Sequence, residues 1–301
     1  MKVEYIDLSR SNYDQEHRVE TLAKLASISY GNESAKDPHK LVKHLFDRGH
    51  QSVFEFIRLP YKNPATADFE NYGIENSLRQ KPLLKTIKSA SIYTGIDEEL
   101  YITWWKESLV TLKVTLPIFI DRQAVRHRQD SRIELSRRYV KPEKVDFSYW
   151  LPEDSHFRVE EWKQEYHRML KRYGRAELAR ITQPLCLETT YYVMRNFKAA
   201  KNFYVRRWNA KAQKEFRDLV EEEIQLIKEQ QPEFKGIYVT LVDTYEPVYL
   251  LDLRKLDTKE RFIKVDYDDP NYYAVFDREA GYFVDDVPKH ETYFNIMFGS
   301  E

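Results

Sequence analysis

The chain has 301 residues, 42% hydrophobic and 32% charged, with 48 Lys and Arg against 49 Asp and Glu and a formal net charge of −1. That balance excludes a disordered chain and weighs against nucleic-acid binding by bulk charge, and no apolar run approaches the ~18 residues of a membrane helix. The single cysteine, Cys186, excludes an intrachain disulfide, and the N-terminal MKVEYIDLSRSN lacks the basic start and apolar stretch of a signal peptide, so a soluble, cytoplasmic protein is expected.

Val19, Leu22, Leu25 and Ala26 recur at helical spacing and predict a helix over 15–28. A second helix follows, with Asp37 as its cap, Pro38 at its first position, a buried stripe of Leu41, Val42, Leu45 and Phe46, and Gly49 as its stop. SVFEFIRL at 52–59 predicts a strand. Residues 60–108 are polar and lack a clean period, and they read as an insertion with some helix of its own. LVTLKVTL at 109–116 resumes a strand, and Pro117 opens a short helix through PIFIDRQAVRH before an arginine-dense loop. A helix over 158–173 carries Trp162, Tyr166, Met169, Leu170 and Tyr173 on one side and ends at Gly174. A helix-rich core continues to about residue 230, where Phe216, Leu219, Val220, Ile224 and Ile227 form its last apolar stripe. Beyond 235, IYVTLVD, YLLDL and YYAVFD predict short strands.

The densest polar signal lies between Arg122 and Tyr139, where six arginines and one histidine fall within 18 residues of a nearly neutral protein. On a helix begun at Pro117, Gln123, Arg126 and His127 sit within one turn of each other. Guanidinium forks match phosphate oxygens bidentately, so this run is an anion-site candidate, although an arbitrary charge run is more often a solvated face. The other histidines, His17, His39, His44, His156, His167 and His290, are scattered without metal-site spacing. Cys186 reads as a buried structural thiol, Tyr191 and Tyr192 as core, Glu221-Glu222-Glu223 as a solvated helix face, and Asp285-Asp286 as a turn. No Gly-x-Gly-x-x-Gly fingerprint supports a Rossmann nicotinamide site.

The arginine run resembles the signature of the flavin-dependent thymidylate synthases, the ThyX family: Arg126-His127-Arg128, seven residues, then Ser136, with Arg138-Tyr139 just beyond and PIFIDRQ as the lead-in. His50-Gln51-Ser52-Val53-Phe54-Glu55 and the segment from Arg180 to Pro184-Leu185 are similar to further family segments. Asn196, Asn202, Arg207 and Ala212-Gln213-x-Glu215 follow at the family's spacing. The likeness covers residues 15–58 and 109–230.

The resemblance implies an α+β, ThyX-type fold with a central mixed sheet flanked by helices. Residues 1–234 would be the catalytic domain, with the insertion at 60–108, and 235–301 a small β-rich C-terminal extension. It implies FAD held by Ser29, His50, Ser52, Glu55, Arg126, His127, Arg128, Gln129, Glu134, Asn196, Lys198, Asn202 and Lys211. It implies dUMP bound by Gln123, Arg126, Glu134, Leu135, Ser136, Arg137, Arg138, Arg180 and Arg207, with Arg138 and the amides near Ser136 on the phosphate. Arg207 would be the catalytic residue, set against the uracil ring to stabilise negative charge there. NADPH and methylenetetrahydrofolate are the implied co-substrates, and dTMP and tetrahydrofolate the products. The implied assembly is a homotetramer with shared active sites, so these residues need not converge within one chain. No metal, nucleic acid or membrane partner is implied.

The implied chemistry suits the residues present. A classical thymidylate synthase activates uracil with a cysteine, and Cys186 lies outside the arginine run, whereas a reduced flavin with an arginine at the developing enolate needs no thiol. Four positions depart from the family pattern: Phe56 and Lys211 stand where His is frequent, Ile133 where Asn is frequent, and Lys198 where Arg is frequent. They leave open a related flavin-dependent pyrimidine-nucleotide C5 methylase or hydroxymethylase, and a non-catalytic nucleotide- or RNA-binding protein stands as the third possibility.

Overall fold

The computed structural model describes residues 1–8, 15–56, 60–62, 69–71, 110–138, 140, 147–153, 155–156, 158–195, 197–230, 238–241, 247–266 and 272–288. Contacts group the chain into two units, 1–102 with 111–194 and 103–110 with 195–301. These units follow packing, whereas the division at 234/235 follows the sequence resemblance and remains a proposal. Tyr139 and Asn196 lie outside the described residues, as does most of the insertion.

The first unit begins with β1 (Lys2–Tyr5), α1 (Gln15–Ser27) and α2 (Pro38–Asp47). α2 starts where its sequence says it should: the Asp37 carboxylate accepts the Lys40 amide at 2.9 Å and Pro38 occupies the first turn. Only part of its expected stripe is buried. Leu45 is covered, but Phe46 is 64% exposed and meets Phe54 edge-on at 5.9 Å.

Residues 51–56 form a 3-10 helix, Gln51–Phe56, where a strand was expected. The buried side chains there are Val53 and Phe56, three apart, which suits three residues per turn rather than alternation. In the insertion, β2 (Pro60–Lys62) pairs antiparallel with β3 (Phe69–Asn71).

β4 (Val110–Pro117) is the strand expected there, with Leu112, Val114 and Leu116 fully buried. Pro117, extended at φ −69°, caps α3 (Ile118–Ala124), which stops before Arg126 and His127 rather than running through them. The arginine-dense segment is not all loop. Ser131–Glu134 form β5, with Ser131 and Ile133 buried and Arg132 and Glu134 on the other face.

α4 (Val159–Tyr173) ends at Gly174, whose φ of 66° lies in the left-handed region that glycine adopts without a Cβ penalty. α5 (Ala176–Ala179) and a 3-10 turn (Arg180–Thr182) follow, then β6 (Glu188–Arg195), a strand inside the region read as helix-rich. The sheet order is β1-β4-β6-β5, with β1 antiparallel to β4 and β5 antiparallel to β6.

In the second unit, α6 (Phe197–Arg207) and α7 (Lys214–Gln230) precede β7 (Tyr238–Leu241) and β8 (Pro247–Tyr249). Of YLLDL only Tyr249 is in a strand, the end of β8; the rest lies in a 3-10 helix, Leu250–Lys255, with Leu250 and Leu253 buried three apart. β9 (Phe262–Asp266), β10 (Tyr272–Asp277) and β11 (Tyr282–Pro288) complete a five-stranded sheet of order β11-β10-β9-β7-β8. Asp285 and Asp286 therefore lie in a strand, not a turn.

The five expected apolar residues of α7 are all buried, each contributing about 1.5–3 kcal/mol. Its acidic run is not a solvated face: Glu223 is fully buried and pairs with Arg195 at 2.7 Å, and Glu221 pairs with Arg254. Trp208 is 1% exposed and packs against Phe276 and Phe283 at 5.5 and 6.4 Å. No helix among the described residues is long and apolar enough to cross a membrane.

Candidate functional site

α3 and the segment 185–187 are joined by backbone hydrogen bonds, from the Ile118 amide to the Leu187 carbonyl and from the Phe119 amide to the Leu185 carbonyl, both 3.0 Å. Ile118, Asp121 and Arg122 follow helical spacing and face one way. Across from them run residues 134–137 and 180–185. Between these walls lies a cleft of about 530 Å³, within the ~300–1,000 Å³ of small-molecule sites. Of the residues implied for dUMP, the cleft brings together Glu134, Leu135, Ser136, Arg137 and Arg180. It is not lined by Gln123, Arg126 or Arg138.

Apolar packing holds the walls in place. Phe147, Tyr166, Ala179 and Leu187 form a buried cluster to which Ile118 and Tyr149 add their side chains. The Tyr149 hydroxyl donates to Gln183 Oε1 at 2.6 Å, and Gln183 Nε2 donates to the Trp162 carbonyl at 3.2 Å. Gln183, which no motif pointed to, is thereby fixed at the cleft wall.

A charge network stands beside the cleft. Arg132 Nη2 bonds Asp121 Oδ1 and lies 3.2 Å from Glu134 Oε2, and its guanidinium sits 3.6 Å from the Tyr191 ring centre. The Thr189 hydroxyl donates to Glu134 Oε1 at 2.9 Å. Strand register explains the grouping: Glu134 faces Tyr191 and Arg132 faces Val193, so Thr189, Tyr191, Arg132 and Glu134 share one face. Burial pushes the Glu134 carboxyl upward and Asp121 adds to it, while Arg132 and Thr189 pull it back. Burial also works against the Arg132 charge, but Tyr191, Glu134 and Asp121 outweigh it and hold the group above its ordinary value.

Arg137 is the guanidinium set into the cleft wall. Nη2 donates to the Glu188 carbonyl at 2.6 Å and the group lies 4.8 Å from the Phe147 ring centre. Its Nε and Nη1 are buried without a hydrogen-bond partner, and burial lowers its pKa. Its neighbour Arg138 is instead exposed and pairs with Glu177 at 3.3 Å. Ser136 donates its amide to the Ser29 carbonyl at 3.2 Å, and the Ser29 hydroxyl donates to the Glu134 carbonyl at 3.1 Å. Ser29, implied for the flavin, therefore touches the strand end that lines the cleft.

Gln123, in the last turn of α3, is half-buried; beyond the helix Arg126 and Arg128 are exposed, Gln129 is half-buried, and His127 Nε2 lies 3.6 Å from the Asp130 carboxylate. His50 and Ser52 are exposed and Glu55 is half-buried. In the second unit, Asn202 and Arg207 are half-buried on α6, and the Arg207 guanidinium lies 5.4 Å from the Phe216 ring centre. Lys211 is exposed and paired with Asp285 at 2.9 Å. Lys198 lies in α6, and its side chain is outside the described residues. Cys186 is half-buried rather than enclosed, and burial raises its thiol pKa.

Asp121, Arg132 and Thr189 were missed by motif reasoning. The alternation Ser131-Arg132-Ile133-Glu134, which puts both charged residues on one face of a strand, is the signal that could have found the pair.

Residues 100–233 match the family described as thymidylate synthase complementing protein. Over 180 residues the chain is 26% identical to a flavin-dependent thymidylate synthase of Aquifex aeolicus, covering 51% of this chain and 56% of that protein. The chain thus spans about half the length of this curated relative. A structure of thymidylate synthase X from Helicobacter pylori with FAD and dUMP is 18% identical, with a TM-score of 0.34, covering 42% of this chain and 70% of that one.

Proposed function

We propose that this chain is a diverged member of the flavin-dependent thymidylate synthase family and methylates dUMP to dTMP with FAD as cofactor and methylenetetrahydrofolate and NADPH as co-substrates, in the cytoplasm. One observation carries the proposal. The residues that follow Arg126-His127-Arg128 in the family signature, Glu134 to Arg137, meet Arg180 around a single cleft of nucleotide-binding size.

The cleft's charges suit a phosphate monoester. Arg122, Arg137 and Arg180 line it and none of them is in an ion pair among the described residues. Asp121 and Glu134 also line it, but their charges are met by Arg132. The two unpartnered donors of Arg137 are what a buried anion would satisfy, and each charge-assisted bond is worth about 1.5–3 kcal/mol. Ile118, Leu135 and Leu187 offer apolar surface for a pyrimidine ring.

The flavin diphosphate needs exposed cations, and Arg126 and Arg128 are exposed with no ion pair among the described residues. These two, with His127, Ser29, His50, Ser52, Glu55, Asn202 and the other residues of the resemblance, would hold the cofactor. When bound, the flavin supplies the reducing equivalents of the methylation. The task of Arg207 is to stabilise charge on the pyrimidine, and the copies of a homotetramer would share these groups.

The test is the visible spectrum of the purified chain, followed by product analysis. The expected result is a yellow protein that bleaches with NADPH without oxygen and converts dUMP to dTMP. A colourless protein that does not take up added FAD overturns the proposal. A related C5 hydroxymethylase or a UMP-directed enzyme is the second reading, favoured by Phe56 and Ile133, both buried apolar residues where the family pattern is polar. Product mass, with UMP as a competing substrate, separates the two.

A further inference from the structure

We propose that Arg132 is the positioning residue of the cleft, fixing the Glu134 carboxylate as an anionic hydrogen-bond acceptor aimed at the ligand. The inference rests on the cleft being the ligand site, and it deepens the proposed function by naming what governs Glu134.

Arg132 has a side chain only 12% exposed, between Asp121 at 11% and Glu134 at 38%. It is therefore a buried cation with a buried carboxylate on one side and a cleft-facing carboxylate on the other. Its plane is fixed by Tyr191, 3.6 Å away, so the direction in which it offers its N–H groups is set. Glu134 is gripped at both oxygens, by Arg132 at Oε2 and by Thr189 at Oε1. An ionised carboxylate has about four lone-pair sites, so acceptor capacity remains for a ligand N–H or O–H. Arg132 thus does for Glu134 what a second carboxylate does for a catalytic histidine: it fixes orientation and charge without touching the ligand.

Removing Arg132 leaves two carboxylates facing each other in a partly buried place. Glu134 is already biased toward its neutral form by burial and by Asp121, and Arg132 is the largest opposing influence. The other charges around Glu134 are Arg137 on the following loop, Arg122 on α3 and Arg180 on the 3-10 turn, with the Tyr191 hydroxyl from β6. None of these is in ion-pair contact with Glu134, and Arg137 acts on it only at longer range, so Arg132 is its direct countercharge. A neutral Glu134 would present a donor where the cleft now presents an acceptor.

The experiment follows the Glu134 carboxyl directly. The full chain, labelled with ¹³C at glutamate carboxyls, is titrated by NMR, with Glu134→Gln assigning the signal. Arg132→Gln is expected to raise the Glu134 midpoint by about one pH unit or more, a tenfold gain in proton affinity. Arg132→Lys keeps the charge and should return most of that shift. Adding Asp121→Asn to Arg132→Gln should lower the midpoint again. Circular dichroism confirms folding, and if Arg132→Gln does not fold, the single variants decide: Arg132→Lys, without the guanidinium fork, should raise the Glu134 midpoint by a smaller step, and Asp121→Asn should lower it.

A Glu134 midpoint that is the same in all folded variants overturns the inference, whatever the enzyme's activity. If the midpoint moves as stated but the wild-type chain makes no dTMP, the inference stands and the proposed function fails. In an active enzyme, the acid limb of kcat/KM for dUMP should move up with the Glu134 midpoint, which a purely structural role would not produce.

Discussion

Replacing Arg195 by Met should unsettle the second unit far more than an ordinary surface change. Arg195 Nη1 lies 2.7 Å from Glu223 Oε2, with the two side chains 1% and 0% exposed. The guanidinium also lies 3.9 Å from the Phe203 ring centre. The substitution removes the guanidinium from the Glu223 charge where water does not reach it, and breaking a buried pair from one side costs about 3–5 kcal/mol. At about 1.4 kcal/mol per decade, the folding equilibrium of this unit should move by roughly 10²–10³·⁵. Urea titration followed by circular dichroism and by tryptophan fluorescence measures it, since Trp208, one of the five tryptophans, is in the same unit.

The double change Arg195→Met with Glu223→Leu should recover most of the loss, because two apolar side chains need no countercharge. The sign of the pH effect is also fixed. In Arg195→Met, Glu223 folds best when protonated, so its folded pKa rises above the unfolded one. Stability of that variant should be highest in acid and fall as pH rises through the unfolded glutamate range toward the raised folded value. A single variant that loses less than ~1 kcal/mol, or that gains stability as pH rises, would refute this account of the pair.

Arg207→Ala should keep flavin binding and lower turnover by about 10²–10³, read by single-turnover kinetics; near-normal turnover removes Arg207 from the mechanism. Arg137→Ala should weaken dUMP binding by roughly 10–100-fold in calorimetry, the value of a charge-assisted contact, with little change in melting temperature. Gly281→Ala should destabilise the second unit, because φ is +77° and a Cβ would stand 2.6 Å from Arg254 Nε. A thermal melt unchanged by that substitution would show that the turn adapts.

Much of the fold could be read from the residues alone. α2, β4, α4 and α7 follow directly from cap, alternation and stripe, since each carries a pattern longer than its ambiguity. The two 3-10 helices misled because a buried pair three apart inside a short apolar run also fits a strand. β5 was hidden by its charge: a strand with Arg and Glu on one face looks like loop until its neighbour Tyr191 is known.

The site shows the same division. The residues from Glu134 to Arg137 could be picked out by spacing. What separates Arg137 from Arg138 could not, because it depends on a carbonyl of Glu188 and a carboxylate of Glu177, each about 40 to 50 residues away in the chain. Likewise the burial of Glu223 comes from Arg195, which no local pattern connects to α7.

Trp208 has a practical lesson for anyone trimming this protein. Its indole is roofed by Phe276 and Phe283, the Phe283 amide donates to its carbonyl at 3.0 Å, and the Arg254 guanidinium lies 5.0 Å from its ring centre. Cutting the chain after residue 234, just past the last residue of the family match, would bare this greasy patch beside α6. The shortened protein should clump on expression, so the last stretch must travel with the rest.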